Sequence, residues 1–548
     1  MENNKSNTSR TKIFVTCGVM LFSALTASRM LSERPLNNHE CYVAVTAREM
    51  LESNDWVWPT YNGEPRLHKT PLSYWMVAGL AKITGQVDEF TARMPSVIFA
   101  VLSVAAVMYF VNQWLSFRIA VLSAAVWATS LGYMRYSHNA RPEMALTFFV
   151  TLCFLAFYSA ITATTRKRQA AYMLIFWISF GLGNLAKGPA PLPVVLIPLF
   201  FHIAIFRKWK QLTNWLLVAG VIIFLAIVLP WPLAIAQRLN WDLGIWKRDF
   251  VDRFLGSYER GDYPLYYYLL MMFKYVTPWV AFLPMALAAP FYKVWNEKRP
   301  AMQFLWLWFV ADLAFLTISG GKRQHYILPL MPAMAILIGI LIEDMAFVRR
   351  AYTQKFIQNA LRNHIVVIIA GTIALPIYIA ATNPQFLAGG IILSTTTIVT
   401  TAAVAILFAK RKSAFACGTV FAGIAILVMI FYASFVNRLG KERYSKDFAQ
   451  KIAEIIPQYD RLTAYGSVSA QHIYYFGRVI PEINDRTVLY EHYKRGEWIL
   501  ATTGHLEELT EDGRFRKVYH TTKAKHRKNI DVPGALFHKS APEVKDEL

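Results

Sequence analysis

Residues 1–435 alternate long apolar runs with short polar breaks, and residues 436–548 are polar throughout. A membrane-spanning helix needs about 20 mostly apolar residues. Candidate spans begin near Ile13, Pro95, Ile119, Met144, Ala171, Pro189, Trp215, Tyr266, Ala301, Ile327, His364, Gly390 and Ala414. This pattern predicts a mainly α fold, a polytopic transmembrane helical bundle of about 13 spans, several interrupted by Pro or Gly. The first run follows MENNKSNTSRTK, outlasts a secretory h-region and has no small-x-small cleavage site, so it is expected to stay as a signal anchor. In the polar tail, RLTAYGSV and EWILATTG read as strands and KDFAQKIAEII as a helix, which predicts a small C-terminal α/β domain. The expected division is a membrane domain at 1–435 and a soluble domain at 436–548. An outer loop at 33–94 belongs to the first and carries the helix-like stretches CYVAVTAREML and PLSYWMVAGLAKI.

Charge sets the expected orientation. With the N-terminus in the cytoplasm, the inner loops hold Arg118, RKR at 166–168, Arg207, Lys208 and Lys210, then Lys293, Lys298, Arg299, Arg349, Arg350, Lys355 and KRK at 410–412. Every inner loop is then basic, as the positive-inside rule requires, and the C-terminal domain lies outside. The residues are 55% hydrophobic and 17% charged, against about a quarter charged in soluble chains. The net charge of +22 is spread over these short loops, so it reflects topology and implies no nucleic-acid partner. Of the four cysteines, Cys17, Cys153 and Cys417 sit in apolar runs and only Cys41 lies outside, so no disulfide is expected. The terminal KDEL matches an ER-retrieval address, but in a charged tail it reads as a chance tetrapeptide.

Four clusters on the expected outer side carry candidate chemistry. In NNHECYVAVTAREML, His39 and Glu40 follow the first span, where a carboxylate or imidazole can serve as base or simply end a loop. In NGEPRLHKTPLSYW, Lys69 precedes Thr-Pro and an amphipathic stretch, apt for a lipid phosphate or for ordinary headgroup anchoring. In RYSHNARPEMALTFF, Arg141 and Glu143 flank Pro142, and Glu143 opens a helix, where an acid also complements the helix dipole. Arg253, with Lys322, Arg323, His325 and Tyr326 of SGGKRQHYILPLMP, gathers cations and a phenol suited to neutralising a phosphate leaving group, or to salt-bridging two loops.

The order of these motifs resembles a known family: an acidic position after the first helix, NG-x-P-x-x-x-K-x-P-L-x-Y-W, R-x-P-S, R-P-E-M-x-L-T-F-F, L-x-K-G-P and K-x-x-x-Y-I-L-P-L-x-P. Together they resemble the bacterial integral-membrane glycosyltransferases of the C-type fold, above all the lipid A aminoarabinose transferases and, further off, the protein O-mannosyltransferases. The resemblance covers roughly residues 36 to 345. It implies transfer, with inversion, of a pentose or hexose from a polyprenyl-phosphate carrier to an acceptor on the periplasmic face of a bacterial inner membrane. That acceptor is lipid A, another envelope glycan or a protein, and the other partners are membrane lipids. It implies that Lys69, Arg253 and Tyr326, with Lys322 and Arg323, hold the donor phosphate, and that His39, Glu40 and Glu143 are catalytic. Arg141 is acceptor-side or structural, and Lys187 of the Lys-Gly-Pro turn is structural or phosphate-proximal. Where the family has Asp-Glu this chain has His39-Glu40, its second outer carboxylate is Glu143 instead of Asp, and His68 replaces a glutamate beside the lysine. No metal site is therefore carried over, and no cofactor is implied. A lipid or solute transporter is the rival class; it would place charges mid-span and show repeated halves, whereas the spans are nearly free of charge, Asp312 and Lys187 being the main exceptions, and no repeat appears.

Overall fold

The structure, a computed structural model, describes the chain apart from residues 1, 30, 68, 210–214, 243, 245–262, 349–354, 436–440, 502–504, 521–533 and 542–548. The terminal KDEL, His68 and Arg253 therefore lie outside the described residues. The chain forms two compact units: residues 1–29, 68–73 and 94–438, and residues 30–67, 74–93 and 439–548.

The first unit is helical and polytopic. Among the described residues, eight helices are long and apolar enough to cross a membrane, or nine if Leu216–Val228 and Pro230–Arg238, bent by 42°, form one broken span. Pro230 lacks the N–H that would continue the ladder, and the chain turns there. The apolar helices Phe117–Thr129, Pro191–Ile205 and Val280–Phe291 are shorter than a full crossing. They fall within runs that the sequence pattern marked as spans, because hydropathy alone does not register where a helix stops.

Small residues and buried hydrogen bonds fix the packing, as expected where lipid removes the hydrophobic drive between helices. Gly339 sits so close to the neighbouring helix that an added Cβ would fall 2.7 Å from the backbone nitrogen of Ser123. Trp127 Nε1 donates to Ser103 Oγ at 2.8 Å, and Trp279 Nε1 to Thr129 Oγ1 at 3.0 Å. Phe154 stacks on Trp308 with ring centres 4.2 Å apart.

The second unit is α/β. Its sheet runs Glu482–Ile483, Leu462–Tyr465, Trp498–Ala501, Ala535–Phe537, Lys517–His520. The first three strands are mutually parallel, and the last two join antiparallel. Leu462–Tyr465 and Trp498–Ala501 are buried at every position, which suits parallel strands covered on both faces. Both lie where the sequence predicted strands, and the expected helix forms as Lys441–Ile455. Residues 30–67 and 74–93, which the sequence pattern assigned to the membrane domain, pack into this unit. Asn62 Nδ2 donates to the carbonyl of Ile480, Asn62 Oδ1 accepts from its N–H, and Lys446 Nζ meets Glu89 Oε1 at 2.7 Å. Such ties, between residues hundreds of positions apart, have no local sequence signature.

Candidate active site

In the first unit the site is built around Glu143. Pro142 leads directly into the helix Glu143–Ile161, so Glu143 occupies its first turn, and its side chain is only 4% exposed. Its Oε1 lies 3.3 Å from Arg141 Nη2, 3.3 Å from Lys187 Nζ and 3.4 Å from His325 Nε2. Its Oε2 is buried with no hydrogen-bond partner. An orphaned carboxylate oxygen in a buried position costs about 1–3 kcal/mol, more for a charged group. Such a group therefore points to a missing donor supplied by something that binds.

Three other segments converge on this carboxylate. Lys187 ends the helix Arg166–Lys187, and Gly188 follows with φ at +65°, a conformation glycine adopts without penalty. The Gly188 N–H donates to Thr70 Oγ1 at 3.0 Å, which holds the Lys69–Thr70 stretch beside the Lys187 turn. Lys69 is half-buried there. The Lys187 ammonium lies 5.4 Å from the centre of the Tyr326 ring, and the His325 and Tyr326 rings meet edge-on at 4.9 Å. On the far side of His325 is Tyr136, ring centres 6.4 Å apart, whose hydroxyl pairs with Tyr275 at 2.8 Å. Lys322 is buried and donates to the carbonyl of Pro264 at 3.3 Å, while Arg323 is exposed with its backbone clasped by the Tyr268 hydroxyl. Among the described residues no three His, Cys, Asp or Glu side chains group as a metal site would need.

Glu40 and His39 belong to the second unit, at the start of the helix Asn38–Ser53. Asn37 and Glu40 form a capping box: the Asn37 side chain accepts from the N–H of His39 and Glu40, and Glu40 Oε2 accepts from the Asn37 N–H. The Glu40 carboxylate is fully buried and meets Arg93 twice, Nε to Oε1 at 2.8 Å and Nη2 to Oε2 at 3.1 Å, with Arg34 at 3.4 Å. Arg93 also donates to the carbonyls of Leu31, Arg34 and Pro35. Burial alone would push the Glu40 carboxyl up, but the charge and hydrogen bonds of Arg93, with Arg34 behind, hold it below the usual carboxylate range. Both oxygens are occupied, which argues against the acid–base role suggested by sequence. His39 is exposed at the helix start.

Within the first unit the structure thus brings together Glu143, Arg141, Lys187 and Tyr326, with Lys69 beside them, and within the second it pairs Glu40 with Arg93. Two participants were not singled out at the sequence level, His325 being read only as a member of a basic cluster. His325 sits next to Tyr326 in the same motif, and the motif itself was the only signal. Arg93, in R-x-P-S, looks from sequence like the polar opening of a span.

The fold is that of the C-type membrane glycosyltransferases. ArnT from Cupriavidus metallidurans bound to undecaprenyl phosphate superposes with a TM-score of 0.80 over 96% of this chain and 97% of that one, at 17% identity. Its apo form gives 0.77 over 98% of both, at the same identity. The family model "Dolichyl-phosphate-mannose-protein mannosyltransferase" matches residues 33–240. In sequence the chain is similar to the undecaprenyl phosphate-alpha-4-amino-4-deoxy-L-arabinose arabinosyl transferase of Pseudomonas aeruginosa (strain UCBPP-PA14), 30% identical over 316 residues, 56% of each chain. The enzyme of the same name from Yersinia enterocolitica is 28% identical over 334 residues, 60% of this chain and 59% of that one. The chain thus spans little more than half the length of these relatives. The two families that the motifs resemble are the ones the comparisons return.

Proposed function

We propose that this protein is a glycosyltransferase that moves a sugar from a polyprenyl-phosphate carrier to an envelope acceptor at the outer face of a bacterial inner membrane. The observation that carries this reading is Glu143, a buried carboxylate with one oxygen held by cations and the other without a partner. The relatives named above supply the donor class. Their names specify undecaprenyl phosphate carrying 4-amino-4-deoxy-L-arabinose, so that pentose is the first donor to try, with lipid A, the acceptor that the motif resemblance implies, as the first acceptor.

Transfer from a lipid phosphate needs a neutralised leaving phosphate, a deprotonated acceptor, and exclusion of water from the sugar carbon as positive charge develops there. Lys69 and Tyr326, with Lys322, Arg323 and Arg253, are assigned to the phosphate. Arg141 and Lys187 fix Glu143, which orients the acceptor through its free oxygen. Direct displacement inverts the anomeric centre. Glu40 is assigned to anchoring the helix that starts at Asn38, and His39 takes no part in the chemistry. The basic inner loops favour a cytoplasmic N-terminus and an outer C-terminal domain.

A second reading keeps the fold and makes a protein hydroxyl the acceptor; the mannosyltransferase family match over residues 33–240 favours it. Mass spectrometry of lipid A, envelope glycans and glycoproteins from a deletion strain and its parent tests both. Loss of a pentose or hexose from one class identifies the acceptor, and identical spectra in all three classes contradict the proposal.

A further inference from the structure

The Glu143 cluster contains an imidazole whose second nitrogen is uncommitted. His325 Nε2 faces Glu143 Oε1 at 3.4 Å, and no hydrogen bond engages Nδ1 among the described residues. The side chain is 16% exposed, so it is held in place yet reachable. The groups facing it are Glu143 from the helix Glu143–Ile161, Lys187 from the helix Arg166–Lys187, Arg141, Arg323 of its own segment, and the rings of Tyr136 and Tyr326. Lys187 and Arg141 share the Glu143 charge and as cations offer no lone pair, whereas His325 Nδ1 carries one that can accept a proton.

We infer that Glu143 and His325 form a carboxylate–imidazole dyad, in which Glu143 fixes the tautomer of His325 and Nδ1 is the general base for the acceptor. The inference rests on the transferase reading above and assigns its proton step. The acceptor hydroxyl gives its proton to His325 Nδ1 while its oxygen bonds to the anomeric carbon. The bond from that carbon to the phosphate oxygen breaks, and the electron pair leaves with the polyprenyl phosphate. The imidazolium so formed is stabilised by Glu143, as the orienting carboxylate stabilises it in hydrolase triads, and it releases the proton to water at the exposed edge. Glu143 is then a positioning residue and His325 the catalytic one. The sequence offers His39 for a histidine base, but the geometry supplies His325.

His325→Gln isolates the proton step, because the glutamine amide can still donate to Glu143 but cannot titrate. The test uses the full-length protein in lipid nanodiscs, with undecaprenyl-phosphate aminoarabinose as donor, lipid A as acceptor, and rates measured across pH 5 to 9. General-base catalysis contributes about 10²–10⁴-fold. The expected result for H325Q is a kcat lowered by about 100-fold or more, with a smaller change in KM for the donor. Added imidazole should restore part of the rate to His325→Ala and none to Glu143→Gln. A wild-type rate in H325Q, or a lowered rate in His325→Ala that ignores imidazole, overturns the dyad while leaving the transferase reading intact. No transfer by wild type at any pH with any envelope acceptor overturns both.

Discussion

Arg93→Met in the second unit tests the anchoring role given to Glu40. Methionine keeps most of the volume and removes the guanidinium, which makes two contacts with Glu40 and donates to three backbone carbonyls in the 31–35 turn. Both side chains are essentially inaccessible, at 1% and 0% exposure. Removing one partner of a buried ion pair costs about 3–5 kcal/mol, because the other charge stays buried without compensation. Arg34 at 3.4 Å and the Asn37 donors keep part of the compensation for Glu40, so the lower end, about 3 kcal/mol, is expected. At about 1.4 kcal/mol per decade, that is roughly a 100-fold rise in amide exchange for the buried face of the helix Asn38–Ser53, if it exchanges by local opening. Hydrogen-exchange mass spectrometry of the full chain in nanodiscs measures this directly. Exchange in residues 38–53 within about threefold of wild type, well under 1 kcal/mol, refutes the reasoning. So does Glu40→Gln combined with Arg93→Met if it is no better than Arg93→Met alone, since the double change removes both buried charges.

The same pair makes the stability of this unit depend on pH. The Glu40 carboxyl is held below its ordinary value, so its contribution is fully present above the ordinary carboxylate range and is lost as pH falls through the lowered value. Thermal unfolding between pH 7 and 3 should show wild type losing its margin over Glu40→Gln as the pH drops. Gly339→Leu drives a side chain into the backbone of Ser123. It should reduce the folded yield from the membrane and lower the unfolding temperature, with a cost of about 1–3 kcal/mol or more, read by size-exclusion thermal challenge. Lys187→Met removes a cation from Glu143 and should lower transfer by about 10²-fold or more while leaving membrane insertion unchanged, as judged by purified yield and mass-spectrometric product assay. Lys69→Ala should raise KM for the lipid donor more than it lowers kcat, as steady-state kinetics in nanodiscs will show.

The membrane part was largely legible because its signal is local: each apolar run reports its own burial. What sequence did not resolve is where a run stops being helical. Pro191–Ile205 and Phe117–Thr129 are apolar throughout their length yet short. Two of the five sheet strands of the second unit, Leu462–Tyr465 and Trp498–Ala501, were readable from the sequence, and the other three were not. The packing of residues 30–67 and 74–93 into that unit was not, since ties such as Asn62 to Ile480 span 418 positions. For the site, Glu143, Lys187, Lys69 and Tyr326 were each singled out by motif. The pairing of Glu143 with Lys187 across 44 positions, and of Glu40 with Arg93 across 53, is tertiary information. Nothing in NNHECYVAVTAREML distinguishes a solvated carboxylate from one sealed against an arginine. Glu40 therefore read as a candidate for chemistry with no sign that its carboxylate is paired with Arg93, and His325 read as one basic residue among several.

The most direct measurement of the central claim is a single-turnover assay with purified full-length protein in nanodiscs. The donor is undecaprenyl-phosphate aminoarabinose labelled in the sugar, and lipid A, an envelope glycan fraction and a protein fraction are offered separately. The account predicts label in one acceptor class, stoichiometric release of undecaprenyl phosphate, inversion at the anomeric carbon, and loss of transfer in Glu143→Gln with donor binding retained. Transfer by Glu143→Gln at the wild-type rate, or donor bound and translocated without reaching any acceptor, would contradict it.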